Sequence, residues 1–243
     1  MPSRDREEAD LRCTSDIERD LRARGYHVIA GADEAGRGSL FGPVFAAAVV
    51  LSPDRPIRGL NDSKQLDATR REVLAGRILE RATAWAVAAV DAASIDRLNI
   101  YQASRLAMLC AIERLLPRPD FVLVDAVPLD LRVPQWPVIH GDALCTVIAA
   151  ASILAKTARD ACLRRWHEVY PLYGLAEHKG YFTPAHARAL AEHGPTPLHR
   201  LSFEPVRTHS LFPIEPAGQL CLFPEPPVPE PRPSGSGPEA PCL

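Results

Sequence analysis

The chain has 243 residues, 28 Lys and Arg against 30 Asp and Glu (formal net charge −2), and 47% hydrophobic residues. This suits a soluble globular protein with a full core, most simply one domain with appended ends. No apolar run approaches the roughly 18 residues of a membrane span, and the charged N-terminus is not a secretory signal, so a cytoplasmic location is expected. The six cysteines show no CxxC pairing. They read as reduced thiols, which excludes a disulfide framework and a zinc site.

The small net charge hides an uneven distribution. Residues 1–25 carry six Arg against seven acids, and the chain from Leu211 onward carries one Arg against four Glu. The middle is slightly positive and holds all eight histidines. That excess is too weak to establish nucleic-acid binding by itself. Only three lysines occur beside 25 arginines: Lys64, Lys156 and Lys179. Such positions suggest places where a compact ammonium is needed.

In chain order, residues 1–25 read as a charged, peripheral extension with a short helix over 16–24. The runs 27–33 and 44–51 look like buried strands joined by a glycine loop. Thr69 and Glu72 have capping-box spacing for a helix to about Arg81. A strand over 85–90 is followed by a long helix over 94–116, ended by Pro117. Phe121–Val124 reads as a central strand ending directly on Asp125, and Val138-Ile139 as another short one. A small-residue-rich helix over 143–169 and a further helix over 183–193 follow. This alternation predicts an α/β domain over 26–210, with a central mixed β-sheet flanked by helices. Residues 211–243 hold ten of the 24 prolines, the composition of a disordered, proline-rich C-terminal tail.

The chemistry concentrates at Gly31-Ala32-Asp33-Glu34-Ala35-Gly36-Arg37-Gly38, closed by Gly42-Pro43. Adjacent carboxylates repel unless a cation lies between them, and glycine lets a backbone approach a ligand closely. Asp33 and Glu34 end one strand, Asp125 ends another, and Asp142 precedes a helix, so strand order can gather all four at one sheet edge. Carboxylates favour a hard ion such as Mg²⁺ over zinc. Any single one of these acids could be a turn former, and Asp142 fits a helix N-cap. The adjacent pair fits that reading less well. No GxGxxG or GK[ST] loop points to a nucleotide enzyme.

The glycine-loop block resembles the signature of the ribonuclease HII family. So do Asn61-Asp62-Ser63-Lys64, Val124-Asp125, Gly141-Asp142, the run from Ile148 to Lys156, His178-Lys179-Gly180-Tyr181, and the run from Gly194 to Arg200. The resemblance implies an RNase H-like fold and an endoribonuclease that hydrolyses the RNA strand of RNA–DNA hybrids. It also implies incision 5′ to single ribonucleotides embedded in duplex DNA, by two-metal-ion hydrolysis with Mg²⁺ or Mn²⁺, giving 3′-OH and 5′-phosphate ends. By position, Asp33, Glu34, Asp125 and Asp142 match the catalytic, metal-binding carboxylates. Gly36, Arg37 and Gly38 match the loop that reads the 2′-hydroxyl, Tyr181 the aromatic against the deoxyribose, and Lys64 a residue near substrate phosphates. Many members carry Lys where His140 stands here, which bears on substrate affinity and pH dependence. In the tail, Gln219, Leu220, Leu222 and Phe223 resemble the pentapeptide by which bacterial replication and repair proteins bind the sliding clamp. A monomer is expected. The competing readings are a non-catalytic nucleic-acid-binding module and an enzyme like ribonuclease HIII, restricted to longer hybrids.

Overall fold

The computed structural model describes residues 13–209. Along the chain run α1 (Asp16–Ala23), β1 (Ile29–Ala35), β2 (Val44–Leu51), α2 (Ala68–Arg81), β3 (Ala82–Val90), α3 (Ala92–Leu98), α4 (Ile100–Glu113) and β4 (Phe121–Asp125). They are followed by β5 (Gln135–Val138), α5 (Gly141–Leu144), α6 (Thr146–Val169), α7 (Leu175–His178), α8 (Pro184–His193) and α9 (Val206–His209). Among the described residues no helix is long and apolar enough to cross a membrane.

The strands form one mixed sheet in the order β3-β2-β1-β4-β5. β1, β2 and β3 are an antiparallel meander, while β4 lies parallel to β1 and β5 parallel to β4. Successive strand residues face opposite sides. Ala30 and Ala32 of β1, with Ala46 and Ala48 of β2, pack in one cluster with Ala103, Ala107 and Met108 of α4. On the other face, Ala47 and Val49 pack with Ala149, Ala150 and Ile153 of α6 and with Leu74 and Ile78 of α2.

The backbone of α6 lies directly against the sheet at Gly31. A Cβ there would stand 2.2 Å from the carbonyl carbon of Val147, so only glycine lets α6 cross β1 at this height. The N-terminal end of α6 is capped from elsewhere in the chain. Glu18 of α1, 1% exposed, accepts from Thr146 Oγ1 at 2.6 Å and from the Val147 N–H at 3.0 Å. Leu21 of α1 joins the cluster of Ile29, Leu123 and Ile148. The helix expected to be peripheral thus contributes to the core.

Several local expectations need correction. The single helix over 94–116 is two, because Asn99 has φ 68° and its side chain accepts from the Gln102 N–H, capping α4 afresh. With ψ 161° this is an extended, positive-φ backbone through which an α-helix cannot continue, while the apolar spacing runs on across the break and conceals it. The cap of α2 is Asp67, accepting from the Arg70 N–H at 2.8 Å, rather than the Thr69–Glu72 box. Glu72 instead pairs with Arg164 at 3.2 Å. The helix expected over 143–169 is broken at Cys145, whose backbone is extended (φ −115°, ψ 127°). His140, not Asp142, caps α5, with φ 55°.

Candidate active site

Sheet register assembles the acids. β1 and β4 pair Ile29 with Phe121, Gly31 with Leu123 and Ala32 with Val124. Continuing one residue brings Asp33 level with Asp125 on neighbouring strands, about 4.8 Å apart in backbone spacing. Both side chains lie on the α6 side of the sheet, as the alternation from Gly31 and Leu123 requires. The chain leaving β5 then turns at His140 and places Gly141 beneath Asp125. The Gly141 N–H donates to Asp125 Oδ1 at 2.9 Å, and a Cβ on Gly141 would come within 3.2 Å of that oxygen.

A cleft of about 270 Å³ opens over these strand ends. Asp33, Glu34 and Asp125 line its floor, Gly36, Arg37 and Gly38 one wall, and Lys64 and Tyr181 the rest of its mouth. Asp142 is buried at its edge and reaches it through Lys64, whose Nζ donates to Asp142 Oδ2 at 3.4 Å. All nine residues singled out in the folded part of the sequence therefore converge. The four tail residues Gln219, Leu220, Leu222 and Phe223 lie outside the described residues.

The electrostatics are those of a strained acid cluster. Burial, then the neighbouring charges of Glu34 and Asp125, hold the Asp33 carboxyl well above the usual carboxylate range. A hydrogen bond from Ser152 works the other way. Burial also raises Glu34, partly offset by the Arg37 guanidinium, which stands 3.5 Å from Glu34 Oε1. Asp125 is raised by burial against the Gly141 N–H and the Lys64 ammonium. Burial opposes the charge of Lys64, yet Asp142, Asp62 and Asp33 together raise its pKa. Among the described residues no group of three or more His, Cys, Asp or Glu side chains lies close enough together to hold a metal ion.

Residues beyond those singled out complete the site. Ser152 of α6 pairs with Ser63 at 2.9 Å, tying the Lys64 loop to the helix beneath Asp33. Lys156 lines the cleft and donates to Asp160 at 2.8 Å. Tyr181 is exposed, not a core aromatic, and is backed by Arg159 at 5.2 Å and Lys156 at 5.8 Å from its ring centre. Arg159 is fully buried and donates to the Lys179 carbonyl at 2.9 Å. Behind the Tyr181 turn, the buried rings of His186 and His199 meet Nε2 to Nε2 at 3.1 Å. A second cleft of about 230 Å³ shares Asp160 with this region, and among its lining charges Arg71 pairs with Asp160 and Arg164 with Glu72.

An antiparallel meander extended by parallel strands, with acids gathered where those strands end, defines a nuclease of the ribonuclease H type. The structure resembles ribonuclease H2 from Pyrococcus horikoshii OT3 with a TM-score of 0.64 at 24% identity, over 75% of this chain and 96% of that one. It also resembles the ribonuclease HII solved in complex with PCNA from Archaeoglobus fulgidus (TM-score 0.61, 27% identity, 73% of this chain and 96% of that one). In sequence, the family model described as Ribonuclease HII matches residues 30–206. A curated ribonuclease HII of Solibacter usitatus is 67% identical over 213 residues, 88% of this chain and 93% of that protein. The chain belongs to the ribonuclease HII family.

Proposed function

We propose that this protein is an endoribonuclease that hydrolyses the RNA strand of RNA–DNA hybrids and incises duplex DNA 5′ to a single embedded ribonucleotide, leaving 3′-OH and 5′-phosphate ends. The observation that carries the reading is one cleft holding both an acid cluster and a glycine loop. RNA and DNA differ locally by the 2′-hydroxyl, and a backbone without side chains can approach it closely enough to hydrogen-bond. A binder with no chemistry to perform gains nothing from four carboxylates facing a polyanion.

The donor set suits a hard divalent cation. Its oxygens are carboxylates, and three of the four have pKa values raised by burial, a condition that a nearby cation relieves. Mg²⁺ is bound through one or two carboxylates plus water and substrate oxygens, so a closed protein cage is not required. Asp33, Glu34, Asp125 and Asp142 would hold Mg²⁺ or Mn²⁺, which supplies an activated water and stabilises charge on the leaving oxygen. Around it, Arg37 and Lys64 offer positive charge to phosphates, and Tyr181 offers an exposed ring to a sugar. His140 immediately precedes Gly141, whose N–H holds Asp125, in the position where many members carry Lys.

The tail residues Gln219, Leu220, Leu222 and Phe223 would engage a sliding clamp, a reading supported by their sequence pattern and by the PCNA complex of the Archaeoglobus relative. The enzyme would act as a monomer in the cytoplasm. The test of the catalytic reading separates binding from cleavage. Asp33→Asn and Asp125→Asn should each abolish cleavage while leaving hybrid binding largely intact. Activity above a few per cent of wild type removes the role assigned to that residue.

A further inference from the structure

Arg200 lies far from the acids in sequence, is fully buried, and does not line the cleft. Its guanidinium nonetheless grips the glycine loop from behind. Nη1 donates to the carbonyl of Arg37 at 2.7 Å and Nε donates to the carbonyl of Gly42 at 3.0 Å. The Arg200 N–H also donates to the Leu40 carbonyl at 2.8 Å. One residue thus fixes both ends of the segment from 37 to 42. Burial, then the charge of nearby Arg159, lowers its pKa to about 9, so the grip is made against an electrostatic cost.

The direction of that grip has a consequence at the cleft. The Arg37–Gly38 peptide is trans, since the cis bonds among the described residues are Leu116-Pro117 and Glu204-Pro205. In a trans peptide the C=O and the following N–H point in opposite directions. With the Arg37 oxygen drawn inward to Arg200, the Gly38 N–H must face outward. Gly38 lines the cleft, and no acceptor among the described residues takes its N–H.

We infer that Arg200 is a positioning residue for ribose recognition, holding the Arg37–Gly38 peptide so that the Gly38 amide is presented to the substrate's sugar. This rests on the proposed reading that the loop meets a 2′-hydroxyl. Lysine cannot substitute, because its single ammonium cannot span two carbonyls five residues apart as the guanidinium fork does.

The experiment uses the full-length enzyme with Mg²⁺, a duplex bearing one ribonucleotide as substrate, and the all-deoxy duplex as competitor. The ratio of the competitor's inhibition constant to the substrate KM measures ribose preference. Arg200→Lys should lower this ratio about tenfold, the loss of roughly one hydrogen bond. Phe203→Leu is the control, since Phe203 packs on the same guanidinium at 5.2 Å. It should lose comparable stability and keep the ratio. A ratio preserved in folded Arg200→Lys, or lost equally in both variants, overturns the inference.

If Arg200→Lys does not fold, amide exchange at Gly38 in the wild-type protein decides. Exchange should be fast in the free protein and with the all-deoxy duplex, and slowed by the ribonucleotide duplex. Protection of Gly38 in the free protein overturns the inference. A wild-type enzyme with no ribose preference contradicts the proposed function itself, a result distinct from either.

Discussion

Gly36→Ala tests whether the glycine loop and the Tyr181 turn are one rigid unit. Gly36 has φ +95°, and a Cβ there would lie 2.0 Å from Nε, 2.5 Å from Cδ and 2.9 Å from Cζ of Arg159. Ordinary contact begins at 3.4 Å, so the guanidinium would have to withdraw by 1.4 Å. It is fully buried, donates to the Lys179 carbonyl and supports the Tyr181 ring. Withdrawal therefore breaks a charged hydrogen bond, worth about 1.5–3 kcal/mol. The left-handed backbone adds about 1–3 kcal/mol for a residue with a Cβ. The expected loss is about 2.5–6 kcal/mol, read by urea denaturation. Displacing catalytic surroundings by about 1 Å can cost about 100-fold in rate, so kcat/KM on a single-ribonucleotide duplex should fall by that order. In an Arg159→Ala background the clash is gone, and Gly36→Ala should cost only the backbone strain. A variant within about 1 kcal/mol of wild type, with activity retained, refutes the reasoning.

Three further outcomes are expected. Ser152→Ala removes the hydroxyl that lowers the Asp33 pKa and pairs with Ser63, so the Mg²⁺ concentration for half-maximal activity should rise roughly tenfold, while an unchanged midpoint contradicts that support. Burial, then His186, pushes His199 down to about 3, against about 6.5 for an unfolded histidine. Between those values the unfolded chain holds the extra proton, so this contribution to stability falls as pH drops below about 6.5, by up to about 1.4 kcal/mol per pH unit, and is flat above. The raised carboxyls act in the opposite sense, so the observable is the stability gap between wild type and His199→Asn. That gap should narrow from pH 7 to 4, and a constant gap contradicts a neutral buried His199. Deleting 211–243 should leave turnover on a short duplex unchanged, and a large loss would make the tail part of the catalytic structure.

The acids and the glycine loop were legible because their chemistry is visible in residue type. Two adjacent carboxylates and closely spaced glycines are costly wherever they occur, and strand ends in an α/β sheet collect at an edge. Asp33, Glu34, Asp125 and Asp142 could thus be named before their register was known. The supporting residues carry no such mark. Arg159 and Arg200 belong to a type usually found at the surface, in a chain with 25 arginines, and only the fold reveals that both are fully buried. Glu18 reads as one charge of a charged helix, and its capping of α6 spans a separation of 129 residues. The break at Asn99 was hidden for the opposite reason. Apolar spacing survives across it, and periodicity reports which face is buried but not where the hydrogen-bond ladder restarts.

The central claim is that one cleft couples recognition of a ribose to metal-assisted hydrolysis. The most direct test is duplex DNA carrying one embedded ribonucleotide, incubated with Mg²⁺ or with EDTA, with the cut resolved to the nucleotide. Incision on the 5′ side of the ribonucleotide with Mg²⁺, and none with EDTA, is the predicted result. Cleavage of longer hybrids alone, or binding without any cleavage, would contradict it.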